Sequence, residues 1–235
     1  MTDLSTIRLF ATHPHNCSYL RDQHATTVFV DPNEPMNAEL YSQLSELGFR
    51  RSGGHVYRPK CETCQACIPA RIPVDSFEST RQQRRCWKRN QDIQVTVLDS
   101  IDTNEHYRLY ERYIDERHSD GDMYPATRAQ FRSFLTREWG VTQYLEFRLN
   151  GALAGISVCD RMSNALSAVY TYFDPDLHRR SLGTFAILLQ IDQAQRLDLQ
   201  YVYLGYWIKA CPKMSYKTQF RPLELMVNKR WTLLR

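Results

Sequence analysis

Three cysteines stand at every third position of one short segment: Cys61, Cys64 and Cys67. This spacing repeats that of the loops that hold zinc or iron–sulfur clusters, and Cys17, Cys86 or His55 would supply a fourth ligand, with Cys17 as our choice. Small thiols also pack well in a tight loop bounded by proline, without any metal. The segment therefore predicts either a metal site or a packed thiol loop, and in both cases a loop that positions Arg71.

Basic residues are concentrated in two segments of the chain. Residues 50–89 hold ten Lys or Arg against three Asp or Glu, and residues 209–235 hold seven against Glu224 alone, although the net charge of the whole chain is only +4. Two basic segments on an acidic remainder favour a polyanionic partner, the alternative being a basic helix face that only meets solvent. Five basic side chains surround Trp87, a mixture suited to phosphates and a stacked base: Arg81, Arg84, Arg85, Lys88 and Arg89.

Composition limits the class of protein. The 235 residues are 43% hydrophobic, enough for a substantial core, but no stretch approaches the roughly 18 uninterrupted apolar residues of a membrane span. The N-terminus lacks the pattern of an export signal, so the seven cysteines are expected to be reduced. We expect a soluble, cytoplasmic protein.

The second half of the chain has the clearest pattern of elements. Helical spacing covers 104–118 and 127–138, the latter opened by Thr127 and Gln130 in a capping box. Strands are predicted at 142–149 and 152–160, joined by an Asn-Gly turn, and further strands at 165–174 and 201–207 flank a helix that opens at Ser181 or Gly183. This order predicts an α+β fold and resembles the acyltransferase fold of the GNAT superfamily.

The first half is different. Short β-like pieces at 26–30, 56–59 and 68–74 alternate with Pro and Gly, and one short helix ends at Gly48. We predict a smaller N-terminal module over residues 1–95, carrying the cysteine loop and the first basic segment, followed by the GNAT-like domain over 96–235.

The helix that follows the third strand of this domain would carry the phosphate loop of an acyl-CoA enzyme. Arg180 and Gly183 fit the expected pattern, but Phe185 stands where Gly or Ala is needed for the backbone to approach a pyrophosphate. A donor other than acyl-CoA that still carries phosphates fits better.

Three longer stretches resemble the aminoacyl-tRNA protein transferases of the N-degron pathway: "SGGHVYRPKCETCQACIPARIPV", "YFDPDLHRRSLGTFAILLQI" and "LGYWIKACPKMSYKTQFRPLEL". The short chain and the three-cysteine loop resemble the bacterial branch, which implies transfer of leucine from leucyl-tRNA to proteins that begin with Asp or Glu. The eukaryotic branch, which transfers arginine, is the alternative. Where that branch has a Cys-x-x-Cys pair near the N-terminus, this chain has Cys17 followed by Leu20.

The chemistry of such a transfer can be matched to residues. An aminoacyl ester is already activated, so the reaction needs alignment and a proton acceptor rather than a cofactor or an enzyme nucleophile. Asp174, beside Tyr172 at the end of a predicted strand, is the candidate for orienting or deprotonating the acceptor amine, the alternative being an Asp-Pro turn. The acidic side chain of the acceptor requires a cation, and the family motifs offer Arg58, Arg71 and Lys217, each of which is otherwise a surface charge.

The segment 209–220 mixes cations with apolar side chains. Lys209 and Lys213 are candidates for the tRNA acceptor end, and Met214 and Tyr216 for the wall of a leucine pocket, the alternative being a core-packing loop. Two rival functions remain at this stage: an acetyl-CoA N-acetyltransferase, against which Phe185 argues, and a non-catalytic RNA-binding protein.

Overall fold

The computed structural model describes residues 4–136 and 139–235. Before residue 100 the helices and strands are, in order, β1 (Leu9–Ala11), β2 (His15–Asn16), β3 (His24–Ala25), β4 (Thr27–Val30), α1 (Ala38–Glu46), β5 (Arg50–Ser52), β6 (His55–Pro59), β7 (Ile68–Pro73), α2 (Arg81–Arg89) and β8 (Ile93–Leu98). After it come α3 (Asn104–Arg117), α4 (Arg128–Leu135), β9 (Thr142–Leu149), β10 (Ala152–Arg161), β11 (Ala165–Phe173), α5 (Leu182–Arg196), β12 (Tyr201–Trp207), α6 (Pro212–Ser215), β13 (Leu223–Val227) and β14 (Arg230–Leu234).

Short 3₁₀ turns lie between these elements, at Leu4–Thr6, Val74–Ser76, Pro175–Arg180 and Tyr216–Gln219. Within the described ranges no helix is both long enough and apolar enough to cross a membrane.

An eight-stranded sheet organises the mixed α/β fold, in the order β14-β13-β7-β12-β11-β10-β9-β8. Its neighbours pair antiparallel except for β11 and β12, which run parallel. The predicted hairpin is confirmed as β9 and β10, and both turn residues, Asn150 and Gly151, have positive φ as a type I′ turn requires. The boundary predicted between residues 95 and 96 falls inside β8, and the two predicted modules share this sheet, so their division stays a prediction.

Helices cover both faces of the sheet. Ser157 on β10 accepts a hydrogen bond at 2.9 Å from Gln190 of α5, whereas the adjacent register pair, Ile156 and Tyr172, faces Tyr110 of α3. Because successive residues of a strand point to opposite faces, α5 lies on one face and α3 on the other.

The early strands pack on the face that α3 covers. A second sheet, in the order β1-β4-β6-β5, and helix α1 form a core of their own with residues of the large sheet, including Ala165 and Tyr203. In the β5–β6 turn, Gly53 has φ of +57°, and a Cβ there would lie 2.4 Å from the Ser133 carbonyl oxygen of α4. A side chain at position 53 would therefore push the two parts of the chain apart.

Side-chain caps open several helices, but the capping box predicted at Thr127 is incomplete. Thr127 accepts a hydrogen bond from the Gln130 amide at 3.1 Å, but the return bond is missing, because the Gln130 side-chain oxygen is buried without a partner among the described residues. The complete capping box opens α2 instead, between Thr80 and Gln83. Helix α4 ends at Leu135, and positions 137 and 138 of the predicted helix lie outside the described residues.

Candidate functional site

The parallel pairing of β11 with β12 is short. It covers Ala165–Ser167 and Tyr201–Tyr203, and beyond these positions β11 continues to Phe173 and β12 to Trp207 without pairing to each other. Since no ladder holds their later residues together, the carboxyl ends of the two strands border an opening in the sheet. Residues at this opening come from the ends of both strands and from the segments that follow them.

Asp174, directly after β11, lies at this opening but is held by other contacts. Its carboxylate accepts a hydrogen bond from the Asp176 amide at 3.0 Å, as in an Asp-Pro turn, and forms an ion pair with Arg112 of α3 at 3.0 Å. Arg112 also pairs with Asp176 and with Glu116. The side chain of Asp174 keeps 27% of its surface exposed, so one carboxylate can both cap the turn and contact a substrate.

Tyr172 is placed differently from what the sequence predicts. Its ring is fully buried between Tyr110 and Phe131, and its hydroxyl has no hydrogen-bond partner within the described ranges. Burial raises the pKa of Tyr172 well above the usual value. A hydroxyl enclosed on the α3 face does not contact the opening, so we correct the expectation that Tyr172 takes part in the chemistry.

Arg71 on β7 is bound within the fold. Its guanidinium pairs with Glu224 and with Glu46, both at 2.6 Å, and donates to the Tyr203 hydroxyl at 3.0 Å. The same group stacks 3.6 Å from the ring centroid of Tyr201. Because two carboxylates and the rings of Tyr201, Tyr203 and Trp231 already satisfy this cation, we correct its predicted role in acceptor binding. Arg58 donates to the Leu47 carbonyl at the end of α1 and is partly exposed.

Lys217 is a buried cation with no carboxylate partner among the described residues. Its side chain is 3% exposed, and its ammonium lies 3.0 Å from the Met214 sulfur and 5.0 Å from the centroid of the Tyr216 ring. The pKa of Lys217 is lowered to about 8, chiefly by burial; Cys211 acts in the opposite direction, and the charge of Arg50 contributes to the lowering. The segment after β12 thus brings together Lys217, Met214 and Tyr216, and their roles in binding the acceptor and the leucine stay predictions.

Arg50 was not among the candidates from the sequence. It lies on β5 with 4% of its surface exposed, and its Nε and Nη2 atoms are buried without an acceptor in the described part of the chain. The sequence "GFRRSGG" contains one signal, since adjacent arginines on a strand point to opposite faces and need separate partners.

The thiols of the cysteine loop are free and near one another. The pKa of Cys67 is raised to about 12, chiefly by burial and also by the neighbouring thiols Cys17, Cys61, Cys64 and Cys211. Nevertheless, in residues 4–136 and 139–235 no group of three or more His, Cys, Asp or Glu is arranged to hold a metal ion. Cys86 lies apart, against the Arg180 carbonyl, and His55 packs on Phe29, so neither completes the loop.

Helix α2 presents the first basic segment. Its five basic side chains are exposed while Gln83 and Cys86 are buried. Trp87 packs on Phe185 of α5, with ring centroids 5.7 Å apart, and its side chain is half-buried. Phe185 is itself only 4% exposed and does not obstruct the start of α5, contrary to the steric argument from the sequence.

The start of α5 lies next to this helix. Arg180 forms a two-bond ion pair with Asp92 at 2.8 and 2.9 Å, and the Arg89 guanidinium donates to the Arg179 carbonyl. Of the remaining cations predicted to bind tRNA, Lys213 pairs with Asp120 at the surface, and Lys209 is exposed. The basic face of α2 and the start of α5 therefore form one surface.

Comparisons with known proteins agree over nearly the whole chain. Family models described as arginine-tRNA-protein transferase match at residues 15–85 for the N terminus and 105–227 for the C terminus. The chain is 58% identical over 232 residues to the aspartate/glutamate leucyltransferase of Saccharophagus degradans, covering 98% of each protein. It is 55% identical over 234 residues to the enzyme of the same name from Pseudomonas fluorescens, covering 100% of each.

Among solved structures, the C-terminal domain of a putative lysylphosphatidylglycerol synthetase from Agrobacterium fabrum aligns with a TM-score of 0.47 and 12% identity, over 72% of this chain and 51% of that one.

Proposed function

The chain belongs to the arginine-tRNA-protein transferase family, and we propose that it is an enzyme that transfers leucine from leucyl-tRNA to the N-terminal α-amine of proteins beginning with Asp or Glu, which marks them for degradation. The observation that supports this reaction best is the opening between β11 and β12, with the basic surface of α2 and the start of α5 on one face of the sheet and Lys217 beside the opening. A cationic surface suits the tRNA, and a buried cation suits an acidic acceptor.

The order of elements supports a GNAT-like mode of acyl transfer. An antiparallel hairpin, a third strand, a helix and then a parallel strand that separates from the third strand are all present in β9–β12 with α5. In this arrangement the donor reaches the opening from the α5 face, along the phosphate-binding surface. The acceptor amine then enters from the other face, where the early strands lie.

The reaction is an aminolysis of an ester. The acceptor nitrogen attacks the leucyl carbonyl carbon, an amide bond forms, the ester bond to the terminal ribose of the tRNA breaks, and the amine proton ends on the released ribose hydroxyl. An acceptor α-amine has a pKa of about 7.7 to 8.0, so a useful fraction is neutral near pH 7. We assign Asp174 to orient this amine and accept its proton, because it is partly exposed at the opening.

The segment after β12 would hold the leucine. Met214 and Tyr216 provide apolar surface next to the opening, and Lys209 and Lys213 lie exposed around them for the acceptor end of the tRNA. The activated ester supplies the driving force, so the proposed transfer requires no resident metal or redox cofactor. Since the donor is leucyl-tRNA, we place the reaction in the cytoplasm.

The direct test is an incorporation assay with the purified full-length chain. Radiolabelled leucyl-tRNA or arginyl-tRNA is incubated with peptides that begin with Asp, Glu or Ala and with an N-acetylated Asp peptide. We expect leucine on the Asp and Glu peptides and background counts on the other two. Labelling from arginyl-tRNA in place of leucyl-tRNA would overturn the donor assignment. Acetylation from acetyl-CoA, or RNA binding without any transfer, would overturn the reaction class.

A further inference from the structure

Within the described part of the chain, Arg50 is a buried cation without an ion-pair partner, whereas the other buried arginines, Arg51 and Arg71, are paired. Among the described residues no carboxylate lies within ion-pair distance of Arg50, whereas its neighbour Arg51 binds Asp160 and Arg71 binds Glu46 and Glu224. The Nη1 atom of Arg50 donates to the carbonyl oxygens of Ser45 and Phe49, which fixes the guanidinium plane. Its Nε and Nη2 atoms are left without acceptors.

Arg51 shows what the free edge of Arg50 is suited to bind. Arg51 uses Nε and Nη2, at 2.6 and 2.8 Å, to hold both oxygens of Asp160. These two atoms lie on one edge of the guanidinium group and match the two oxygens of a carboxylate. In Arg50 the same two atoms are the unused ones, so its free edge has the geometry of a carboxylate site.

Lys217 is a second buried cation with no carboxylate in ion-pair distance among the described residues, and it lies in the segment that follows β12, the strand whose Tyr203 and Tyr206 rings lie against Arg50. The charge of Arg50 is one of the causes that lower the pKa of Lys217. Burying a charge costs free energy unless an opposite charge or hydrogen bonds compensate, and two buried cations also repel each other. A carboxylate between them would remove both costs. The fold provides no such carboxylate from its own described residues, which leaves the position to a ligand.

The local backbone places this pair beside the opening. Gly205, with φ of +77°, lies in a bulge of β12 against β7 between Tyr203 and Tyr206. The extra residue turns both rings toward Arg50, whose guanidinium carbon lies 4.7 and 5.9 Å from the two ring centroids. Tyr216 is 41% exposed, and its ring lies next to the ammonium group of Lys217.

We propose that Arg50 and Lys217 form the subsite that binds the side-chain carboxylate of the acceptor's first residue and so sets the preference for Asp and Glu. This inference rests on the proposed function. Arg50 holds both carboxylate oxygens through Nε and Nη2, and Lys217 contributes the second cation. The acceptor therefore binds on the face of the early strands, opposite the basic surface that takes the tRNA.

The test measures transfer to two peptides of otherwise identical sequence, one starting with Asp and one with Asn. The variants are Arg50→Met and Lys217→Met. The matched control is Lys229→Met, in the exposed β13–β14 turn. Each of the first two variants should lower kcat/KM for the Asp peptide by about 10- to 100-fold and leave the low value for the Asn peptide within about threefold. The affinity for leucyl-tRNA should not change, and Lys229→Met should match the unmodified protein.

Retention of the Asp-over-Asn preference in both variants would overturn the subsite while leaving the leucine transfer itself intact. Absence of transfer by the unmodified protein would instead overturn the proposed function. If the methionine variants fail to fold, Arg50→Lys and Lys217→Arg keep the charge but change reach and donor geometry. They should then alter the ratio of Asp to Glu use, and an unchanged ratio in both would count against the subsite.

Discussion

Arg51 and Asp160 form a fully buried, two-bond ion pair between β5 and β10, with both side chains 0% exposed and N–O distances of 2.6 and 2.8 Å. Thr142 of β9 also donates to this carboxylate at 2.8 Å. Because β5 belongs to the small sheet and β10 to the large one, this pair fastens the early strands to the face of the large sheet. It thereby fixes the strand on which Arg50 lies.

Asp160→Asn should therefore destabilise the whole chain. Removing one partner leaves the Arg51 charge buried without compensation, which costs about 3 to 5 kcal/mol. Urea unfolding at pH 7 measures the change, and Asp192→Asn, which removes a surface pair with Arg196 on α5, should cost less than about 0.5 kcal/mol. A destabilisation by Asp160→Asn no larger than that of the control would show that the pair does not hold the two sheets together.

The basic face of α2 should bind tRNA through phosphates. Replacing Arg84, Arg85 and Lys88 together by Gln removes three exposed cations and should weaken tRNA binding. The slope of log Kd against log salt should fall by up to about one unit for each phosphate that the helix no longer neutralises. The measurement is filter binding across a salt series, with circular dichroism to verify the fold. An unchanged slope would mean that this helix face only meets solvent.

Asp174 should influence the chemical step rather than tRNA binding. Asp174→Asn keeps an oxygen that can accept the Asp176 amide but removes the charge, and it should lower kcat by roughly 10- to 100-fold. Asp176→Asn is the matched control, because Asp176 also pairs with Arg112 but is 77% exposed. Single-turnover rates at saturating leucyl-tRNA give the comparison. Equal rates for the two variants would show that Asp174 only caps the turn and does not take part in the chemical step.

Lys217 should make stability depend on pH in a predictable direction. Its pKa is lowered from 10.5 to about 8 in the folded protein, so between these values the unfolded chain binds more protons and stability rises with pH. The cost of the buried charge is thus present at pH 7 and disappears by about pH 10.5. Arg50 adds to this cost, and Cys211 opposes it.

The comparison of Lys217→Met with the unmodified protein isolates this effect, because both carry the same other titrating groups. The variant should be more stable at pH 7 by about 3 kcal/mol, and the difference should shrink as pH rises from about 8 to 10.5. Urea unfolding at a series of pH values provides the measurement. A variant that is less stable than the unmodified protein at pH 7 would indicate that Lys217 serves packing rather than a ligand.

The sequence determined the features that depend on neighbours along the chain. The hairpin at Asn150 and the helix after Ser181 were predicted, because turn residues and helical spacing set them, and the cluster of basic residues over 81–89 was visible from local charge. The motifs around Pro175 and Lys217 likewise indicated the family that the comparisons confirmed.

Only the tertiary structure decided which charges are left without partners. Arg71 finds Glu224 and Arg51 finds Asp160, each more than 100 positions away in the sequence, while Arg50 finds no carboxylate among the described residues. Likewise, the ring of Tyr172 is enclosed by contacts across the core. Spacing along a chain shows which groups are present, but the pairing of buried groups depends on contacts between distant strands, and these exist only once the sheets have packed.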